Sequence, residues 1–229
     1  MCFSAGASFG ASAVLSLIGS AAIIKARTIP EGLFAGIPLI FSVQQLAEGM
    51  LWLSFKNTSL EAGQPFFVYT FLVFAMMLWP VWIPLTLRLL EKDSTRKKMM
   101  NVLLGIGVLV SLGVGCVLLL FNVHAISAHH HIHYRVDFPT GTRNLLMPFS
   151  LLYFIATIIA PFISAIKKMK WLGIGFLASY LFAIIFYNGF VVSVWCYFAA
   201  ILSIVVLWIL SRLRESVDSH SPVMSFYTK

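Results

Sequence analysis

Charge is what this sequence has least of. Of its 229 residues 10% are Asp, Glu, Lys or Arg and only 8 are acidic, whereas 60% are hydrophobic, and the mean hydropathy is +0.93. A soluble domain carries about 25% charged residues, so composition excludes an ordinary soluble fold. Cysteine is nearly as scarce. Cys2, Cys116 and Cys196 are too few and too scattered for a disulfide framework or a paired Cys-x-x-Cys zinc ribbon, although the spacing leaves a Cys116–Cys196 disulfide open. The start has no basic stretch ahead of an apolar one, so no cleavable signal peptide is expected, and Cys2 lacks the preceding apolar run of a lipoprotein signal. No apolar run contains a histidine. Gly105, Gly107, Gly113 and Gly115 follow no strand and sit in an apolar run, so they read as close helix packing and not as a phosphate loop.

What is present is a series of apolar runs of bilayer length, about 20 residues each. They fall near residues 8–24, 33–55, 66–90, 99–121, 145–166, 171–187 and 190–210. The expected fold class is all-α: a seven-transmembrane helical bundle over residues 1–214, followed by a polar tail at 215–229. Pro80, Pro84 and Pro161 predict bends, because each removes a backbone donor. The net charge of +8 is distributed unevenly. Lys25, Arg27, Arg88, Lys92, Arg96, Lys97, Lys98, Lys167, Lys168, Lys170, Arg212, Arg214 and Lys229 fall on one side of a seven-span plan. Only Lys56, Arg135 and Arg143 fall on the other. Basic loops are retained in the cytoplasm, which puts the N-terminus outside and the C-terminus inside. The excess charge therefore reports topology. The partner it implies is the lipid bilayer, and no nucleic acid is expected, since no basic groove with interleaved aromatics accompanies it.

The run from Gly36 to Phe55 breaks its own pattern. Gln44, Gln45 and Glu48 lie at its centre, and at about 100° per residue Phe41, Gln45, Glu48 and Trp52 share one face, with Gln44 on its edge. An ionisable group at that depth usually faces a bundle interior with a partner. The bland reading of Glu48 is a hydrogen-bonded structural acid; the functional one is an acid, base or ligand. Alternating span directions gather further chemistry on the extracytoplasmic side: Cys2 and Ser4 at the start, Asn188 after the sixth span, and Ser193, Cys196 and Tyr197 in the outer half of the seventh. The loop between spans four and five holds five of the six histidines. Within it His131-Ile132-His133-Tyr134-Arg135-Val136-Asp137-Phe138 alternates polar and apolar, the period of a half-buried strand. A short extended cap is expected there, with Ile132, Tyr134, Val136 and Phe138 buried and His131, His133, Arg135 and Asp137 turned the other way.

Two resemblances follow from these residues. The start Met1-Cys2-Phe3-Ser4-Ala5, the pattern Pro38-x-x-Phe41-x-x-x-Gln45-x-x-Glu48-Gly49-x-x-Trp52, the pair His133-Tyr134, and Trp195-Cys196 with Ala199-Ala200 resemble an uncharacterised family of prokaryotic multi-pass membrane proteins. That resemblance spans nearly the whole chain and implies an integral protein of a prokaryotic inner or plasma membrane, with no assigned activity. The seven-helix, N-outside plan is similar in architecture alone to the ceramidase and progestin-receptor superfamily of membrane hydrolases. Those enzymes place histidines on their helices, which this chain does not.

Three function classes fit these residues. The first is a metal-dependent hydrolase acting on a lipid or other amphiphile. Zn held by His133, His131 and His124 with Glu48 or Cys2 would activate water, and Glu48 or Asp137 would move the proton. In a metal-free variant Cys2 is the nucleophile beside a histidine base. The second is a binding or transport protein for a small solute, ion or proton, with Gln45, Glu48, Trp52, Tyr197 and Asn188 lining the cavity. The third is a membrane sensor, for which the short basic loops leave little room for an output domain.

Overall fold

The computed structural model describes residues 4–128, 131–138, 147–187 and 190–218. In chain order the elements are α1 (Ala5–Lys25), α2 (Ile29–Ala35), α3 (Ile37–Ser54), the short α4 (Thr58–Glu61), α5 (Gln64–Leu72), a π-helical stretch (Val73–Leu78), α6 (Trp79–Leu90) and α7 (Ser94–Leu120). A hairpin of β1 (Val123–Ala128) and β2 (His131–Val136) follows, then α8 (Met147–Phe154), a second π stretch (Ile155–Ile159), α9 (Ala160–Ile163), α10 (Met169–Tyr187) and α11 (Val191–Asp218). Among the described residues six helical runs are long and apolar enough to cross a membrane, and the shorter apolar run Pro148–Ile163 stands where the fifth span is expected. Their outer faces carry exposed Leu109, Leu112 and Leu119 on α7 and Ile185 and Phe186 on α10, surfaces that only lipid accommodates on this scale. The chain is an integral membrane protein.

Local chemistry sets the helix ends. Ser4 caps α1 by accepting from the Ala7 N–H at 3.2 Å. Thr28 caps α2 by accepting from Glu31 N–H at 3.3 Å, and the Glu31 carboxylate reaches back to Arg27 N–H at 2.8 Å, a capping-box arrangement. The α7 helix begins at Ser94, five residues before its apolar run, because Asp93 caps it by accepting from Arg96 N–H at 2.8 Å. The last helix also outruns the sequence expectation and continues to Asp218, since nothing between 211 and 218 is Pro or Gly.

The expected bends take a specific form. Each π stretch ends two residues before a proline of the next helix, Pro80 in α6 and Pro161 in α9. A proline offers no N–H to the preceding turn, so carbonyls there are released. Neighbouring helices supply the missing donors, as a nonaqueous interior demands: Tyr153 Oη donates to Ala75 O at 2.8 Å, and Ser111 Oγ donates to Met77 O. At Pro80 the contact with α7 is closest of all, because a Cβ on Gly107 would lie 1.8 Å from Pro80 O.

Helices α1 and α3 pack antiparallel through small and hydroxyl residues. Ser12 Oγ donates to Ser42 O at 2.9 Å, Ser42 Oγ donates to Ser12 O at 2.8 Å, and Ser16 Oγ lies 2.7 Å from Ser42 Oγ. Gly19 seats the Leu39 side chain and Gly49 seats the Phe9 ring. This is the small-residue packing that lets backbones approach in lipid. Larger side chains fill the centre of the bundle, where Phe34, Ile83, Met100, Leu172 and Ile209 are fully buried.

The two ends of the bundle differ. At one end the hairpin covers the helices, its strands antiparallel with Val123 opposite Val136 and Ile126 opposite His133. One strand was expected and two formed, since Val123–Ala128 supplies the partner that a lone edge needs. Ile132 is buried as expected, and Tyr134 stacks on Phe71 with ring centroids 5.0 Å apart. His131 departs from the alternation: it is buried, held between Tyr187 at 5.1 Å and Phe190 at 4.8 Å. It sits at the tip of β2, where the end of α10 and the residue before α11 close over the other face of the sheet. At the opposite end Glu91 ties two turns together. Its Oε1 accepts from Lys92 and Asp93 N–H at 3.0 and 3.2 Å, and its Oε2 accepts from Ala165 N–H at 2.7 Å. Arg96 Nη1 donates to Ile163 O at 2.6 Å across the same gap.

Candidate functional site

The polar face of α3 is turned fully inward. Gln44, Gln45 and Glu48 each have 0% exposure, because α3 packs against α1 on one side and α5 and α11 on the others. Glu48 Oε1 accepts a hydrogen bond from Ser193 Oγ of α11 at 2.5 Å. Gln44 Oε1 accepts from Trp79 Nε1 at 2.9 Å, and Trp79 stacks on Phe41 with centroids 4.0 Å apart. The Cys196 thiol lies beside both Gln44 and Glu48. Three helices, α3, α6 and α11, thus supply the side chains of this cluster.

Gln45 is the anomaly of this cluster. Neither its Oε1 nor its Nε2 has a hydrogen-bond partner among the described residues, and the same holds for Ser8 Oγ and Trp52 Nε1. Ser8 is 0% exposed, and Ser12, one turn further along α1, bonds to Ser42 while Phe9 meets Gly49. The antiparallel packing therefore brings Ser8 level with the Gln45–Gly49 turn. A buried amide that meets no partner costs about 1–3 kcal/mol per group, and native proteins hold few such groups without a reason. Chemically, the cluster presents a carboxyl, amide donors and acceptors, a hydroxyl and an indole N–H inside an apolar wall.

The other residues singled out from sequence are placed as follows. Trp52 is buried near Glu48's helix face, edge-on to Phe55 at 6.0 Å. Tyr197 turns away from the site and lines a groove of α1 and α11 beside Gly10, Ala11 and Leu15. The reason is angular: at about 100° per residue Cys196 and Tyr197 flank Ser193 on opposite sides, so they face different neighbours. His124 and Asp137 pair with each other, Nε2 to Oδ2 at 3.1 Å, on the exposed rim of the hairpin at 63% and 51% exposure. His133 lies edge-on to Phe190 at 6.1 Å and His131 is enclosed by aromatic rings. The hairpin histidines thus sit in three different settings. Among the described residues no three His, Cys, Asp or Glu side chains gather as metal ligands would. Cys116 is exposed and Cys196 buried, both as free thiols, so the disulfide left open by spacing is absent. Cys2 and Asn188 lie outside the described residues.

Sequence reasoning missed Ser8, Trp79 and Tyr153 as members or neighbours of the site, and it placed Ser193 at the right depth without pairing it with Glu48. Ser8 could have been found, since Ser8, Ser12, Ser16 and Ser20 recur every fourth residue along α1. The aromatic and hydroxyl partners could not, because their relation to α3 exists only across helices. No curated protein and no solved structure matches the chain. A family model does match, over residues 1–221: the chain belongs to DUF6629, a family of unknown function.

Proposed function

We propose that this protein is a membrane-embedded binding protein whose ligand places a polar, uncharged group against Gln45 and Glu48. One observation carries the reading: the Gln45 amide is wholly buried and neither end of it is used by the protein's described residues. A structural glutamine would be tied as Gln44 is to Trp79. Two further features favour binding over the alternatives. Toward the opposite end of the bundle the hydroxyls bond within their own helices, Thr157 to Tyr153 O and Ser203 to Ala200 O, so they offer no polar path for a transported solute. A metal hydrolase needs convergent ligands, and His124, His131 and His133 are engaged separately.

Replacing Gln45 by methionine, similar in length and without hydrogen-bonding groups, tests this. The ligand-free variant is expected to gain about 2 kcal/mol of stability in detergent. Small hydroxy and amido compounds that raise the melting temperature of the wild type should leave the variant unmoved. Loss of stability in Gln45→Met, with no compound acting on either protein, would make Gln45 a structural residue and remove the proposal.

The same proposal places seven crossings in the bilayer, Pro148–Ile163 being the fifth, with the hairpin extracytoplasmic. Its support is that Lys25 reaches Ser211, Lys168 lies over the Trp208 ring and Arg96 bonds Ile163, so basic residues from separate loops gather at the end away from the hairpin. In a Cys2→Ser, Cys116→Ser background, Ile126→Cys on the exposed face of β1 should react with a membrane-impermeant maleimide on intact cells. Lys97→Cys should react only after permeabilisation. The reverse pattern would invert the topology.

A further inference from the structure

Next to the polar cluster lies an apolar cleft that its residues do not use. One cavity of about 190 Å³ is lined by Met76, Tyr153, Tyr180, Val192, Trp195 and Cys196. A second of about 150 Å³ runs beneath the hairpin, lined by Leu72, Val114, Leu118, Tyr134, Val136 and Phe149. Met76, Ser150, Tyr153 and Val192 border both, which makes them two chambers of one cleft between α7, α8 and α11. Its mouth is beside Ser150, an exposed residue on α8. Its inner wall is Cys196, the residue beside Gln44 and Glu48. A third, small cavity of about 20 Å³ continues past Cys196 to Phe41 and Trp79. An apolar space of about 150 Å³ holds a benzene ring in other proteins, so each chamber has room for a ring or a short chain.

Resting on the binding reading above, we propose that the ligand is a single-chain amphiphile with a hydroxyl head, its head at Gln45 and its apolar chain in the cleft beneath the hairpin. The head chemistry follows from what Gln45 leaves unused. Its Oε1 asks for a donor and its Nε2 for an acceptor, and a hydroxyl answers both at once. An ammonium would leave the Nε2 unanswered, and a carboxylate would face the Glu48 carboxyl. The chain chemistry follows from the walls: Met76, Val192, Tyr153, Tyr180 and Trp195 present aromatic and aliphatic surface along the way to Cys196. Glu48, one turn from Gln45 on α3, and the cleft are one turn of α11 apart, since Ser193 bonds Glu48 and Cys196 lines the cleft.

The test uses the whole protein in phosphatidylcholine nanodiscs and dodecanol carrying a mid-chain diazirine, with the matching dodecanoate as comparator. After irradiation, crosslinks should map to peptides containing Tyr153 and Trp195, and the dodecanoate probe should label them about tenfold less. Val192→Trp, which fills the cleft without touching the polar cluster, should abolish labelling, as should Gln45→Met. Val192→Phe serves in the same role if the tryptophan variant fails to yield monodisperse protein. Labelling that Gln45→Met leaves unchanged would mean a chain merely resting in a lipid-facing cleft and would overturn the inference. So would absent labelling in a protein that small hydroxy compounds still stabilise, which leaves the binding reading intact. If neither probe nor small compound acts, both readings fall together.

Discussion

Gly107→Ala is expected to destabilise the bundle by about 3 kcal/mol, whereas Gly105→Ala, two residues away on the same helix, is expected to be neutral. The contrast follows from what each added methyl would meet. At Gly107 it would stand 1.8 Å from Pro80 O and 2.5 Å from Pro80 C; at Gly105 nothing lies within 4 Å. The obstacle at Gly107 is backbone, so no rotamer change relieves it, and α6 and α7 must separate. That separation would be costly beyond the local clash. Pro84 has no N–H to give the Pro80 carbonyl, so the carbonyl depends on its neighbour, and the Gly107 Cα–H is close enough to serve as a weak donor. Unfolding titrations in mixed micelles would measure both variants against wild type. Equal midpoints for the two alanines would show that α6 and α7 can slide apart without loss, and the close-packing argument would fail.

Glu91→Ala should cost about 2–3 kcal/mol, because the carboxylate holds three backbone N–H groups from two separate turns and charge-assisted bonds are the strong ones. Glu91 is 3% exposed. Burial pushes its carboxyl upward. The bonds from Ala165, Asp93 and Lys92, together with the Arg96 charge, outweigh that and hold it below its ordinary value of 4.5. A carboxyl depressed in the folded state contributes stability that is complete above its ordinary value and is lost as pH falls through the folded one. Wild type should therefore lose stability below about pH 4.5 by an amount that Glu91→Gln does not show. Parallel pH curves would sink the assignment.

Much of the bundle was legible before any coordinate. Six of the seven apolar runs became helices long enough to span, and their ends moved only where a cap or the lack of a breaker lay outside the apolar window, as at Asp93 and beyond Leu210. The fifth run's helix ends at Ile163, short of 166, because hydropathy does not register where residues flanking an apolar stretch leave the helix; its first residues, 145 and 146, lie outside the described residues. Glu48 was identified correctly as an inward-facing carboxyl, since lipid exposure of a charge is too costly for the alternative. Its partner was not identified. The histidine loop drew attention because imidazole is a common ligand, yet His124 found Asp137 on the rim and His131 found two aromatic rings.

Composition and periodicity by themselves determined that this chain lives in a bilayer and that α3 turns a polar face inward. These are one-helix properties, governed by transfer free energy and the 3.6-residue turn. Only the tertiary structure decided that Ser193 answers Glu48, that Tyr197 lines a separate groove, that Gln45 goes unanswered among the described residues, and that Pro80 needs a glycine opposite it. Those are relations between helices. They depend on which side chains meet across a gap of a few ångströms, and a spacing along one chain carries no information about the register of its neighbour.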